Sequence, residues 1–193
     1  MKGKYVKGKR ITYDGSQLRS LWAFTEHNVQ GNSIIAFRGP CVVEGEALVD
    51  VKDRKEGKVI RSDDMVHFIV ELFDSDLRRT IVLQRLLMCI IKDVIEQMKP
   101  EIMVTRRGDD LFIEVDEEGV EDRKLSVSIA TASPVSTLIH AGVNILSSNT
   151  PVPTLGLQDL EIPVDDFAVT VLERFVREMK EMELARCQVR AVE

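Results

Sequence analysis

The sequence predicts an α+β fold in which a mixed, mostly antiparallel sheet is backed by helices. Three observations carry that expectation. Two long segments show helical spacing of apolar residues, one after Asp74 and one after Asp165. The stretch Lys124–Ala130 alternates as a half-buried strand does. The strands are grouped between helices instead of alternating strictly with them, which points to a sheet covered on one face.

In chain order, Asp14-Gly15-Ser16 punctuates the start, and Leu18, Leu21, Trp22 and Thr25 then share one helical face. Ser33–Arg38 and Met65–Leu72 are short, rich in β-branched residues and read as strands. Asp74-Ser75-Asp76 offers capping side chains to a helix from Leu77 through Met98. Its stripe is Leu83, Leu87, Ile90, Ile91, Val94 and Met98, and Pro100 ends it. Strands follow at Ile102–Thr105, Leu111–Val115, Lys124–Ala130 and Thr137–Ile145, with a hairpin turn expected at Asp116-Glu117-Glu118-Gly119. Within Lys124–Ala130, Leu125, Val127 and Ile129 are expected to face one way, and Ser126, Ser128 and Ala130 the other. Ser147–Pro153 reads as a loop. A last helix runs from about Asp165 to Arg186, burying Val171, Leu172, Phe175, Met179 and Met182. Trp22 and Phe24 are expected to serve packing alone.

The chain has 193 residues, with 26 basic and 32 acidic side chains and a net charge of −6. That length sustains a core without disulfides or metal and is expected to form a single domain over residues 1–193. No apolar run approaches the ~20 residues that span a bilayer. The basic start, MKGKYVKGKR, lacks the apolar segment of a secretory signal. Cys41, Cys89 and Cys187 are scattered, without CxxC spacing, as suits a reducing cytoplasm. The acidic balance argues against nucleic acid as a partner, and the cluster Lys2, Lys4, Lys7, Lys9 and Arg10 reads as solvated charges on an edge strand.

Familiar chemistry is missing from the motifs. There is no GxSxG, no Walker loop and no GxGxxG, and His27, His67 and His140 lack metal-ligand spacing. His67 lies in an apolar run and is expected to be a hydrogen-bonded strand histidine. Two features remain. Arg106-Arg107-Gly108-Asp109-Asp110 precedes a strand, and adjacent cations and carboxylates could hold a phosphate and Mg²⁺ or form a solvated turn. Lys124 opens an alternating strand, where it could neutralise developing negative charge or guard a sheet edge.

In order, these features resemble biotin and lipoate protein ligases and the related octanoyl transferases. Arg107-Gly108-Asp109-Asp110 is similar to the family's charged turn, Lys124-Leu125-Ser126 to its lysine strand, and His140-Ala141-Gly142-Val143-Asn144 to its histidine-glycine strand ending in asparagine. Thr154-Leu155-Gly156-Leu157 and the helix after it resemble the segment beyond the sheet. The resemblance covers roughly Ile102 to Phe175. It implies a fold like that of the ligase catalytic domains, with Lys124 as the catalytic residue directed at an acyl-phosphate carbonyl. It further implies a ligand-binding set of Arg38, Gly39, Arg107, Asp110, Ser126, His140, Gly142 and Asn144. Its cofactors would be ATP and Mg²⁺, the metal on Asp109 or Asp110, and its substrate a small carboxylic acid activated as an adenylate.

The departures are specific. Arg38-Gly39-Pro40, with Gly45 beyond it, stands where the ligases carry a glycine-rich run, and Cys41-Val42-Val43 cannot bring backbone N–H groups as close to a ligand. Leu155 occupies the place of the transferases' thioester cysteine. A relative of the ligases that binds a ligand or partner without turnover is therefore the alternative expectation. Relatives of this fold often pair through sheet edges or helices, so self-association is compatible with the chain, which has no interface signature of its own. The whole chain also resembles an uncharacterised archaeal family, through Tyr13-Asp14-Gly15-Ser16-Gln17-Leu18 and Met65-Val66-His67-Phe68.

Overall fold

A computed structural model describes residues 1–114, 122–146, 148 and 150–192. The hairpin turn expected at 116–119, together with Val115, Ser147 and Asn149, lies outside the described residues. The strands are β1 (Lys2–Arg10), β2 (Ser33–Val43), β3 (Ile60–Leu72), β4 (Val104–Arg107), β5 (Asp110–Ile113), β6 (Arg123–Lys124), β7 (Ser126–Ala132) and β8 (Thr137–Asn144). The helices are α1 (Trp22–His27), α2 (Val51–Lys55), α3 (Leu77–Met98) and α4 (Val164–Ala185). The main sheet has the order β1-β2-β3-β8-β7, parallel between β1 and β2 and antiparallel elsewhere. A second sheet, β4-β5-β6, is antiparallel.

Side-chain alternation divides the main sheet into two faces. Ile34, Ala36, Val66, Phe68, Val70, Ile139, Ala141 and Val143 pack against the apolar stripes of α3 and α4. That stripe is why α3 forms where the spacing predicts. Asp76 caps its start by accepting from the Arg79 N–H at 2.8 Å, and the helix ends just before Pro100. Ile35, Phe37, Cys41, Met65 and Ile69 point the other way, where Tyr13, Trp22, Ala23 and Leu48 cover part of the face. That face is only partly filled, and it holds the cavity described below.

Three local expectations change. The first helix is shorter than its periodicity suggests. Leu21 is left-handed at φ 64° and Asn28 at φ 57°, which confines the helix to Trp22–His27. Trp22 is buried, whereas Phe24 is 42% exposed and has no core role. The lysine strand is broken at Leu125. Lys124 belongs to the small sheet and Ser126 to the main one. Leu125 joins the two, donating its N–H to Leu111 O at 2.8 Å and accepting from the Asn144 N–H at 2.9 Å. Its side chain is therefore buried on the helix side, not beside Val127.

The basic N-terminal segment is the edge strand β1, and several of its charges are occupied. Lys4 donates to His27 O at 2.9 Å, Lys7 pairs with Asp165 at 2.9 Å, and Arg10 with Asp64 at 3.0 Å. No helix among the described residues is long and apolar enough to cross a membrane.

Candidate functional site

The partly open sheet face forms a cavity of about 630 Å³. Its walls come from four places. Tyr13 lies on the segment after β1. Val43, Leu48, Val49, Val59 and Ile60 come from the connection between β2 and β3 and its flanks. Val127, Ile129, His140 and Asn144 are on β7 and β8, and Pro151, Val152 and Thr154 lie beyond β8. Asp109, Asp110, Lys124, Ser126 and Ser128 complete one end. The body is thus mostly apolar, with charge concentrated at the Lys124 end and at Asp50, Asp53, Lys58 and Arg61.

Lys124 is held by its backbone. Its N–H donates to Pro153 O at 2.9 Å, and its carbonyl accepts from the Leu155 N–H at 3.2 Å and from Asn144 Nδ2 at 3.4 Å. Its ammonium meets Asp110 at 2.8 Å, both side chains about a quarter exposed. Burial pushes the Asp110 carboxyl upward from its ordinary range, while the Lys124 charge and hydrogen bond pull it back. Asp109 pairs with Arg85 at 3.1 Å and accepts from Gln84 Nε2 at 3.3 Å. The β7 serines fasten this end: Ser126 Oγ accepts from the Leu111 N–H at 2.9 Å, and Ser128 Oγ donates to Asp109 O at 2.8 Å.

The floor is aromatic. His67 and His140 lie on β3 and β8, 0% and 3% exposed, and their rings meet through Nδ1 of His67 and Nε2 of His140 at 3.0 Å. His67 Nε2 lies 3.1 Å from Gly39 O. Tyr13 stacks on His140 with ring centroids 3.7 Å apart, and Phe37 stacks on His67 at 5.0 Å. Burial drives both imidazoles toward the neutral form, His67 down to about 4 and His140 well below its ordinary value. His67 is thus the hydrogen-bonded strand histidine its sequence context predicts.

Of the residues singled out from sequence, Asp109, Asp110, Lys124, Ser126, His140 and Asn144 line this one cavity. Four do not. Arg38 shares the parity of Ile34 and Ala36, so it lies on the helix face. There its guanidinium is fixed to Asp64 at 2.8 and 2.5 Å. Gly39 is a packing glycine: a Cβ there would lie 2.0 Å from Ile11 O. Arg107 is turned outward, paired with Asp122 and stacked over Phe112. Gly142 lies beneath the floor, where a Cβ would press on Met65, His140 and Val127. Sequence reasoning missed Arg61 and the whole 43–60 wall as cavity residues, and it gave Tyr13 no chemical role. Strict alternation of β3 puts Ile60 and Met65 on opposite faces, and only the register shift between the Gly39–Met65 and Cys41–Ser62 pairs brings both to the cavity side, which nothing local signals.

A triphosphate does not fit the residues present. The resemblance puts phosphate near the Arg107–Asp110 turn, and of that turn Asp109 and Asp110 line the cavity while Arg107 does not. Arg38 lies off it too, and the segment after Gly39 continues as β2 to Val43, with a register shift between Gly39 and Cys41. Four carboxylates and three cations line the cavity. Two of the cations already have partners: Lys58 with Asp53 at 2.8 Å, and Lys124 with Asp110. Asp109 and Asp110 are each paired to a cation, and no group of three or more metal-ligating side chains occurs among the described residues.

Comparison with known proteins places this geometry. A domain family of unknown function, DUF366, matches residues 1–190. The chain belongs to that family. An uncharacterised protein of Methanocaldococcus jannaschii is 38% identical over 181 residues, covering 90% of this chain and 78% of its own. A protein of unknown function from Pyrococcus horikoshi has the same fold, with a TM-score of 0.88, 37% identity and coverage of 99% of this chain and 98% of its own. Biotin protein ligase from Aquifex aeolicus, in complex with biotin and ATP, matches at a TM-score of 0.58 with 14% identity, over 94% of this chain and 70% of its own. The bipartite lipoate protein ligase of Thermoplasma acidophilum matches at 0.55 with 15% identity, over 93% and 84%. This DUF366 chain therefore has the fold of the biotin and lipoate ligase catalytic domains, as its Lys124 and His140 strands imply.

Proposed function

We propose that the protein binds a small carboxylic acid with an apolar body, its carboxylate on Lys124. The observation that carries this reading is the Lys124–Asp110 pair on the wall of a largely apolar cavity. Apolar walls supply binding energy by removing hydrocarbon from water, at roughly 25 cal/mol per Å². A few placed polar groups then fix orientation. A ligand carboxylate would share the Lys124 ammonium with Asp110, whose carboxyl burial already pushes upward. The ligase-like fold supports the same class of ligand: the Aquifex aeolicus protein is described with biotin and ATP, and a matching Plasmodium falciparum protein with lipoate.

Binding without adenylation is the better-supported form, because Arg38 and Arg107 lie off the cavity and four carboxylates offset its three cations. Activation as an acyl-adenylate is the second reading. It is favoured by a partly buried lysine, Lys124, on a segment that resembles the ligases' lysine strand. Calorimetry and thermal melting with octanoate, lipoate and biotin test the first reading. A ligand at a hundred times its Kd raises stability by about 2.7 kcal/mol, and Lys124→Met should weaken binding at least about tenfold. No binding by any of the three acids would end the carboxylate reading. ATP–pyrophosphate exchange dependent on the bound acid and abolished by Lys124→Met would promote the second reading over the first.

A further inference from the structure

The cavity floor carries a hydrogen-bonding instruction that the Lys124 end does not explain. A carbonyl oxygen only accepts, so the contact from Gly39 O fixes the proton of His67 on Nε2. In the neutral ring this leaves Nδ1 as an acceptor. His140, whose Nε2 lies 3.0 Å away, must therefore be the donor of that bond. The proton of His140 is thereby placed on Nε2, and its own Nδ1 carries a bare lone pair. The bond chain runs across three neighbouring strands, from β2 through β3 to β8, and sets the tautomer at its last member. That Nδ1 has no partner among the described residues, although His140 is 3% exposed and lines the cavity. Tyr13, stacked on the ring, contributes a hydroxyl that likewise bonds to none of them. Both residues are buried, yet neither atom is sealed off from the chamber that His140 and Tyr13 line, so each is a polar group that a ligand there can bond to.

We propose that the bound acid carries a hydroxyl or N–H group at the end remote from its carboxylate, and that this group donates to Nδ1 of His140. The inference rests on the carboxylic-acid reading and narrows its substrate class. The separation of the two ends follows from the strand. His140 and Asn144 are four residues apart on β8, about 14 Å at the usual rise. Asn144 lies against the Lys124 backbone, and the Lys124 side chain turns back toward Asp110, whose neighbour Asp109 is bonded to Ser128. Carboxylate and donor should then stand on the order of 10 Å apart, the span of an extended eight-carbon acid.

The test compares 8-hydroxyoctanoate, 8-methoxyoctanoate and octanoate by calorimetry on the full-length protein. The hydroxy acid should bind up to about tenfold more tightly than either acid lacking the donor, the gain of one added hydrogen bond in a largely apolar chamber. His140→Phe should erase that difference, so that the three acids bind the variant equally. That variant also strands Nδ1 of His67, so nitrogen-15 spectra of the wild-type imidazoles provide a second readout. His140 Nδ1 should show the signature of an unprotonated nitrogen, moving toward that of a hydrogen-bonded one with 8-hydroxyoctanoate and staying put with octanoate. Equal affinity for all three acids would overturn the donor proposal and leave acid binding standing. If no acid binds, the same spectra with 1-octanol decide the matter: a displaced His140 Nδ1 keeps donor recognition, and an unmoved one removes it.

Discussion

Acidification is the sharpest probe of the buried histidine pair, because the size of its effect follows from the structure. His67 has an ordinary value of 6.5 and is lowered to about 4 by complete burial. In the unfolded chain it takes up a proton near pH 6.5, and in the native protein it resists until about pH 4. Between those values the unfolded state binds more protons, so stability must fall as pH is lowered through the window. A difference of about 2.5 pH units at about 1.36 kcal/mol each gives roughly 3 kcal/mol lost by pH 4 from His67 alone. His140 and the half-buried His27 are displaced in the same direction and add to the loss. Asp110 works against it, since its carboxyl is raised and gains a proton more readily in the native state. Urea denaturation at steps from pH 7.5 to 4.5 measures the slope. The account expects unfolding free energy to be nearly flat above pH 7 and to drop steadily below pH 6.5. A flat profile down to pH 5, or imidazole signals titrating near 6.5 in the native protein, would refute the neutral buried pair.

Two other perturbations follow from the same geometry. The Lys124–Asp110 contact at 2.8 Å has a gross attraction of ~6 kcal/mol at an effective dielectric of about 20. Desolvation offsets most of it, so a double-mutant cycle with Lys124→Met and Asp110→Asn should return a coupling of about 1–2 kcal/mol in urea melts. A coupling under about 0.5 kcal/mol would mean a solvated pair and an ammonium that is not held for a ligand. Gly39→Ala places a methyl group 2.0 Å from the Ile11 carbonyl oxygen and should cost about 3 kcal/mol through the strain of overpacking. An unchanged denaturation midpoint would show that the β1–β2 crossing is looser than described.

The long elements were legible because their signals are local. The α3 stripe and its Asp76 cap define that helix from end to end, and the last helix shows its pattern as plainly. The break at Leu125 was not legible, because an alternating pattern reads straight through it. What turns Leu125 to the helix side is the pairing of its backbone with Leu111 and Asn144, on two different strands. Strand β1 carries almost no apolar alternation in its nine residues; its parallel pairing with β2 is a long-range fact. At the candidate site, the order of Asp110, Lys124, His140 and Asn144 along the chain was enough to group them. Arg38 was misplaced for want of one step, since its parity with Ile34 and Ala36 already assigns it to the helix face. The 43–60 wall and the His67–His140 contact depend on how β2, β3 and β8 lie side by side, and no spacing within one segment reveals that.

The claim on which the rest depends is that an acid's carboxylate sits on Lys124 inside the cavity. A crystal structure of the protein grown with saturating 8-hydroxyoctanoate tests it most directly. The account predicts density for the acid between β7–β8 and the 43–60 wall, with a carboxylate oxygen within hydrogen-bond reach of Lys124 Nζ and the chain running toward His140. Density for the acid outside that cavity, or inside it with the carboxylate on Arg61 and Lys124 still held by Asp110 alone, would contradict it.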